Sequence, residues 1–387
     1  MEPIRIGVLV PYSGIFKRLK QDLRQGLQLG LQGIKSIAAV EYIFEYIHLG
    51  ETKEVEKAFI KLATYHEADI IVGVIGPKVA YNLLEQINNY KIPTIVLNLG
   101  EYNPTYSFRS PYLFYNSLHL WKSEWAMGRW SQLKYGSVPG IGTCLYEAGY
   151  LMHEAFRLGS AAVGAPLVNV EIMKPPKPGG IGNINVLLNS LHLKHVGHMH
   201  VLLSGKEGAQ FISGYKSSHL AQHVPITVAP FMVDECLDYK DKNAEGFYSA
   251  TTWSLHLETK GNNAFRETYQ ANYLSSPNAY AMLAYEAGLA MAAVIKENSY
   301  EISNKDIFAK SLANSTPCGP RGTIKLTTLP LQVEYQVYIR KSYWNSRTER
   351  IENEVVDTVQ SVNWDNSDML NTAYTNESGW LNPYLCV

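Results

Sequence analysis

Ile4-Arg5-Ile6-Gly7-Val8-Leu9-Val10-Pro11-Tyr12-Ser13-Gly14 opens the chain with a short apolar strand and the turn that stops it. Leu19 to Ile34 then shows helical spacing, with Leu23, Leu27 and Leu31 on one face. Gly26 and Gly30 on that helix predict close packing against a sheet. The alternation continues with a strand over Val40 to Leu49 and a helix over Thr52 to His66, with Thr52 as N-cap. Asp69 to Val74 reads as a buried strand, Val79 to Tyr90 as a helix, and Pro93 to Leu97 as a strand. Strands alternating with helices in this way predict a parallel sheet covered by helices on both faces.

The pattern restarts further on. Helix Trp121 to Tyr135 follows the segment Tyr112 to Ser117. Strands over Gly140 to Leu145, Val168 to Met173, His198 to Leu203 and Ile226 to Val228 alternate with helices over Tyr150 to Gly159, Asn183 to Leu193 and Ala209 to Ser217. A third section has helices at Ala264 to Tyr273, Ala279 to Glu297 and Asp306 to Leu312, then strands at Gly322 to Leu326 and Val333 to Arg340. The tail from about Glu352 is polar and Asn-rich, without clear periodicity. Two similar α/β halves and a returning C-terminal part predict two lobes with several crossings between them.

The chain has 387 residues, 46% of them hydrophobic and 18% charged, which is enough for two domains with real cores and excludes a disordered chain. Lys+Arg number 34 against 35 Asp+Glu, so there is no basic excess for nucleic acid. No run reaches the roughly 18 to 20 uncharged apolar residues that span a bilayer; Ala279 to Ile295 carries Glu286 and reads as a buried helix. Met1 to Arg5 has no signal-peptide features, so either the protein is cytosolic or a signal peptide has been removed. The 26 tyrosines suit a ligand cleft or an interface, and equally an ordinary surface.

Cys144, Cys236, Cys318 and Cys386 include no CxxC pair. Cys144 reads as a buried free thiol, and Cys318 and Cys386 can pair in an oxidising compartment. His192, His195, His198 and His200 lack a carboxylate or cysteine nearby in sequence and read as surface or interface histidines, not a metal site. Pro175 to Asn183 lacks the ending of a phosphate loop and reads as a connection. There is no GxSxG elbow and no HExxH motif. No cofactor is expected.

The residues resemble the type I periplasmic solute-binding proteins, in the branched-chain amino-acid-binding branch that serves ABC importers. The resemblance rests on Ile6 to Gly14 with Gly26 and Gly30, on Asp69 to Pro77, and on Lys91 to Ile95. It continues through Glu245-Gly246-Phe247-Tyr248, Phe265, Tyr269, Tyr273, Pro277 to Tyr280, Ala284 to Ala287 and Gly319-Pro320-Arg321-Gly322. It covers about residues 4 to 345. It implies an α/β fold of two Rossmann-like lobes joined by three crossover segments, with a ligand cleft between them. Lobe one is expected at 1–119 plus 252–330, and lobe two at 120–251 plus 331–387 with a C-terminal extension. The crossovers are expected near Leu118 to Trp121, Ser249 to Ser254 and Leu329 to Gln332. The implied partners are a small-molecule ligand and a membrane permease, with no nucleic acid and no membrane insertion, for a monomer or weak dimer outside the cytoplasm.

Ligands of open α/β sheets bind at the carboxyl ends of the strands. The candidate ligand-binding residues are therefore Tyr12, Ser13, Lys78, Asn98, Gly100 and Glu101 on lobe one. On lobe two they are Tyr146, Tyr150, Ser204, Phe231 and Asp234, with Trp253 at a crossover. Tyr12 and Ser13 either wall the cleft or form a turn packed on the next helix. Lys78 and Glu101 are either ligand contacts or a solvated ion pair. Asp234 is either an amine acceptor or a loop acid, and Trp253 either covers the ligand or is a buried hinge residue. The family's Ser after the Gly-Pro pair is replaced here by Lys78-Val79-Ala80, and Glu101 would repel a ligand carboxylate unless Lys78 offsets it. Amides, small polar organics, aromatic acids and peptides therefore stand open beside amino acids. The expected activity is capture and delivery without catalysis. A ligand sensor of the same fold and a nucleotide- or sugar-dependent transferase are the alternatives.

Overall fold

The computed structural model describes residues 2–100, 110–145, 152–166, 168–174, 182–193, 196–237, 240–297, 302, 304–328 and 335–359. Strands β1 (Ile4–Val10), β2 (Val40–Tyr46), β3 (Ile70–Val74), β4 (Thr94–Asn98) and β5 (Leu113–Ser117) form the sheet of lobe one. All its pairs are parallel, in the order β2-β1-β3-β4-β5. β3 and β4 are buried along their whole length, and their near-continuous Ile and Val runs are what a parallel sheet covered on both faces demands.

Lobe two is built on seven strands: β6 (Pro139–Cys144), β7 (Asn169–Met173), β8 (His198–Leu202), β9 (Ile226–Val228), β10 (Tyr248–Thr251), β13 (Val337–Asn345) and β14 (Arg350–Val359). The order is β14-β13-β10-β9-β8-β6-β7. Strands β6 to β10 run parallel, and β13 and β14 are added antiparallel. The remaining two strands, β11 (Cys318–Gly319) and β12 (Gly322–Thr323), make a two-stranded turn.

The helices that matter for the site are α1 (Leu19–Gly30) and α10 (Ala279–Glu297) in lobe one, and α5 (Leu120–Tyr135) and α6 (Met152–Ala161) in lobe two. Between α1 and α5 come α2 (Thr52–Thr64), α3 (Pro77–Asn82) and α4 (Leu84–Tyr90). Between α6 and α10 come α7 (Asn185–Leu193), α8 (Gly205–Lys216) and α9 (Lys260–Tyr273), and α11 (Lys305–Asn314) follows α10. α9 starts where it does because Thr259 Oγ1 accepts the Asn262 N–H at 3.2 Å. α10 is long and apolar enough to cross a membrane by length and composition, but most of its surface is buried inside lobe one.

Several expectations change. The glycines of α1 pack against a helix, not a sheet: a Cβ on Gly26 would stand 2.2 Å from the Ala281 carbonyl of α10, and one on Gly30 2.4 Å from that of Tyr285. Lobe two repeats the device, with a Cβ on Gly159 of α6 falling 1.9 Å from the Trp125 carbonyl of α5. The helix expected over Val79 to Tyr90 is two helices, α3 and α4, meeting at Leu83. The strand expected over Gly322 to Leu326 shrinks to the two residues of β12. The tail is not without structure, because its first part is β14. His198 and His200 are not surface residues. Both are wholly buried in the central strand β8, and Glu124 of α5 lies 2.6 Å from His200 Nε2. Cys144 is buried at the end of β6, while Cys386 lies outside the described residues.

Candidate functional site

A narrow cleft, open to solvent, lies between the two sheets. Lobe one contributes Phe16 from the turn after β1, Leu99 after β4, and Ala279 at the start of α10. Lobe two contributes Pro230, Phe231 and Asp234 from the loop after β9. Leu118 and Leu120 of the first crossing and Thr251 and Trp253 of the second close the back. Nearly all of these residues follow the carboxyl end of a strand, where the open-sheet rule puts a ligand.

Each wall has a local cause. Ser13 Oγ accepts the Phe16 N–H at 2.6 Å and fixes the turn that brings the Phe16 ring into the cleft. Tyr280 meets that ring edge to face at 4.8 Å. Trp253 spends its indole N–H on Asn262 Oδ1 at 2.8 Å, which leaves an apolar face for the cleft. Pro230 starts a one-turn 3-10 helix, Pro230–Met232, that carries Phe231. Gly100, at φ +74°, lets the chain pass the first crossing: its carbonyl accepts the Trp121 N–H at 2.9 Å, and a Cβ there would lie 2.4 Å from Ser117 Oγ.

The polar end of the cleft is Asp234. Its carboxylate faces Arg340 of β13 at 3.4 Å and accepts the Cys236 N–H at 3.1 Å. Glu235 lies 3.7 Å from the same guanidinium and accepts the Asn353 N–H at 3.0 Å. Burial, and then the Asp234 charge, push the Glu235 carboxyl up to about 7. Burial followed by the same Asp234 charge raises the Cys236 thiol well above its ordinary range, so it is no nucleophile at neutral pH. Two acids share one arginine at this end, and among the described residues no basic side chain lines the cleft.

Of the residues expected at the site, Phe231, Asp234 and Trp253 come together on the cleft, and Ser13 and Gly100 shape the loops behind it. Asn98 ends β4 buried, its carbonyl accepting the Leu118 N–H at 3.0 Å. Tyr12 does not line the cleft. It is 55% exposed and stacks on Tyr46 at 5.5 Å. Lys78 in α3 and Ser204 before α8 are also outside the lining. Glu101, Tyr146 and Tyr150 fall outside the described residues. Phe16, Leu99, Leu118, Leu120, Pro230, Thr251 and Ala279 were not among the expected residues. Leu99 and Pro230 stand in strand-end loops already singled out, so position, and not polarity, was the signal to follow. Among the described residues no group of His, Cys, Asp and Glu can hold a metal.

Residues 3–330 match the periplasmic binding protein family. The chain belongs to that family. It is a solute-binding protein, and its work is recognition, not catalysis. Membership implies an extracytoplasmic location. No curated protein matches it significantly in sequence. Among solved structures it resembles an ABC transporter substrate-binding protein from Sphaerobacter thermophilus, with TM-score 0.79, 20% identity, and 93% of this chain and 98% of the other covered. It also resembles a solute-binding protein from R. palustris in complex with benzoate, with TM-score 0.75, 20% identity, and coverage of 93% and 98%. A branched-chain amino-acid substrate-binding protein from Streptococcus pneumoniae, in complex with isoleucine, gives TM-score 0.70, 16% identity, and coverage of 92% and 99%. Likeness at these identities shows the fold alone: two lobes with a cleft between them.

Proposed function

We propose that the periplasmic binding protein described here captures an amino acid with an apolar side chain and presents it to the importer's permease. The observation that carries this reading is Asp234 at the end of an otherwise apolar cleft that no basic side chain lines among the described residues. An ammonium group donates to that carboxylate from the cleft side, opposite Arg340, and Phe16, Leu99, Leu118, Phe231 and Trp253 take up the side chain. Closing the lobes expels water and strengthens the ion pair. We take the lobes to be 1–119 with 252–330, and 120–251 with 331–387, so that the ligand touches both and favours the closed form.

A second reading rests on the same carboxylate. A phenolic hydroxyl also donates to Asp234, and 4-hydroxybenzoate is the ligand of two structural neighbours. Plain benzoate offers no donor. Titration calorimetry with leucine, phenylalanine, benzoate and 4-hydroxybenzoate separates the two. Binding of an amino acid that weakens about 10- to 100-fold in Asp234→Asn, the scale of a lost charged hydrogen bond, supports the first reading. Binding of 4-hydroxybenzoate but of neither amino acid would replace it with the second. Tight binding of benzoate, unaffected by Asp234→Asn, would refute both.

A further inference from the structure

We propose that Arg321 is the pin on which the two lobes turn, a positioning residue that sets the cleft without touching the ligand. Arg321 sits in the turn between β11 and β12, with its side chain 1% exposed. Its Nη1 donates to the Ser117 carbonyl at 2.6 Å, at the entrance to the first crossing, and to Thr252 Oγ1 at 3.3 Å in the second. Its Nη2 donates to Asn116 Oδ1 at 2.7 Å. The ring centroid of Tyr335, two residues before β13, lies 4.0 Å from the guanidinium carbon. One side chain thus reaches the first two passages between the lobes and Tyr335 just ahead of β13, while the expected third crossover, Leu329 to Gln332, lies outside the described residues.

The anchor is on lobe one. Arg321 Nε donates to Glu286 Oε1 of α10 at 3.1 Å, and Asn116 Nδ2 donates to the other oxygen of that carboxylate at 3.2 Å. A buried guanidinium needs such a counter-charge. Thr252 Oγ1 in turn donates a hydrogen bond to the Leu118 carbonyl at 2.7 Å, so the first two crossings are also tied directly. Only the planar fork of arginine presents donors in enough directions for these acceptors; a lysine ammonium has three donors at one point. The residues held are Ser117 and Thr252, and their immediate neighbours Leu118, Thr251 and Trp253 line the cleft. Turning about this point therefore moves the ligand walls while Arg321 stays fixed to α10.

The test needs no ligand, so it stands apart from the ligand class proposed above. Spin labels on Leu133→Cys and Leu274→Cys, both exposed and on different lobes, report the interlobe distance in a Cys318→Ser, Cys386→Ser chain. Arg321→Lys should broaden that distribution. It should also speed hydrogen exchange about 10- to 100-fold at Leu118, Leu120 and Trp121, while amides of β3 and β8 keep their protection. Tyr335→Leu leaves the ion pair intact and should broaden the distances without exposing a charge; it decides the question if Arg321→Lys does not fold. An unchanged distance distribution in a folded variant would overturn the proposal. So would exchange that rises equally in β3 and β8, since that would make Arg321 a plain core ion pair.

Discussion

Asp22 of α1 offers a quantitative test of how the interior is wired. Its carboxylate is buried and accepts Asn278 Nδ2 at 2.8 Å. Burial raises it from 3.8 to about 6, against the opposing effects of the Asn278 hydrogen bond and the Arg18 charge. Between those two values the folded chain holds a proton that the unfolded chain has released. Stability from this group is therefore greatest at low pH and falls as pH rises towards 6. Above pH 7 the ionised side chain costs the fold up to about 3 kcal/mol. Asp22→Asn keeps the acceptor for Asn278 and removes the ionisation. The expected outcome is a variant more stable than the parent by about 1–3 kcal/mol at pH 7.5 and equal to it near pH 4. Urea unfolding at several pH values gives the difference curve, from which Glu235 and every other shared group cancels. A difference that stays flat across this range, or a variant less stable at pH 7.5, would refute the reasoning.

Other consequences can be measured directly. Gly26→Val should destabilise lobe one by roughly 3 kcal/mol or more, because its Cβ meets backbone of α10 that cannot step aside; calorimetry should show a lowered Tm. Gly159→Val should do the same to lobe two against α5. Glu124→Ala removes the carboxylate beside buried His200 and should cost about 1–3 kcal/mol in chemical unfolding, whereas Glu124→Gln should cost less. His119 at the first crossing is driven well below 6.5 by burial, and then by Lys122 and Arg321. It stays neutral in the fold, so interlobe distances should not change between pH 6 and 8 through this group.

The fold was legible because its central strands are apolar throughout and its helices carry clear spacing. β3 and α10 could be read from composition alone. β14 could not: between its buried Ile351 and Val359 it also buries Glu352 and Asn353, polar groups that look like solvent-facing ones until their partners are seen. Asn353 Nδ2 donates to the Val233 carbonyl at 2.8 Å, 120 positions back in the chain. The buried histidines of β8 misled for the same reason, since Glu124 belongs to another element. The helix partner of Gly26 and Gly30 lies some 250 residues downstream and leaves no local trace. At the site, Asp234 drew attention from its strand-end loop and Trp253 from its place at a crossover, and both line the cleft. Phe16 and Leu118 were passed over because an apolar residue beside a strand looks like core until a second lobe faces it.

Neither lobe is continuous in sequence. Helix α1 finds its partner in α10, and strand β10 waits for β13 and β14 near the end of the chain. A nascent chain that has reached residue 250 therefore holds five strands of one sheet without their covering helix, and the second sheet without two of its strands. Contacts this distant make folding slow. Folding can finish only after nearly all of the polypeptide has been made, which leaves an extended chain available for threading through a membrane pore.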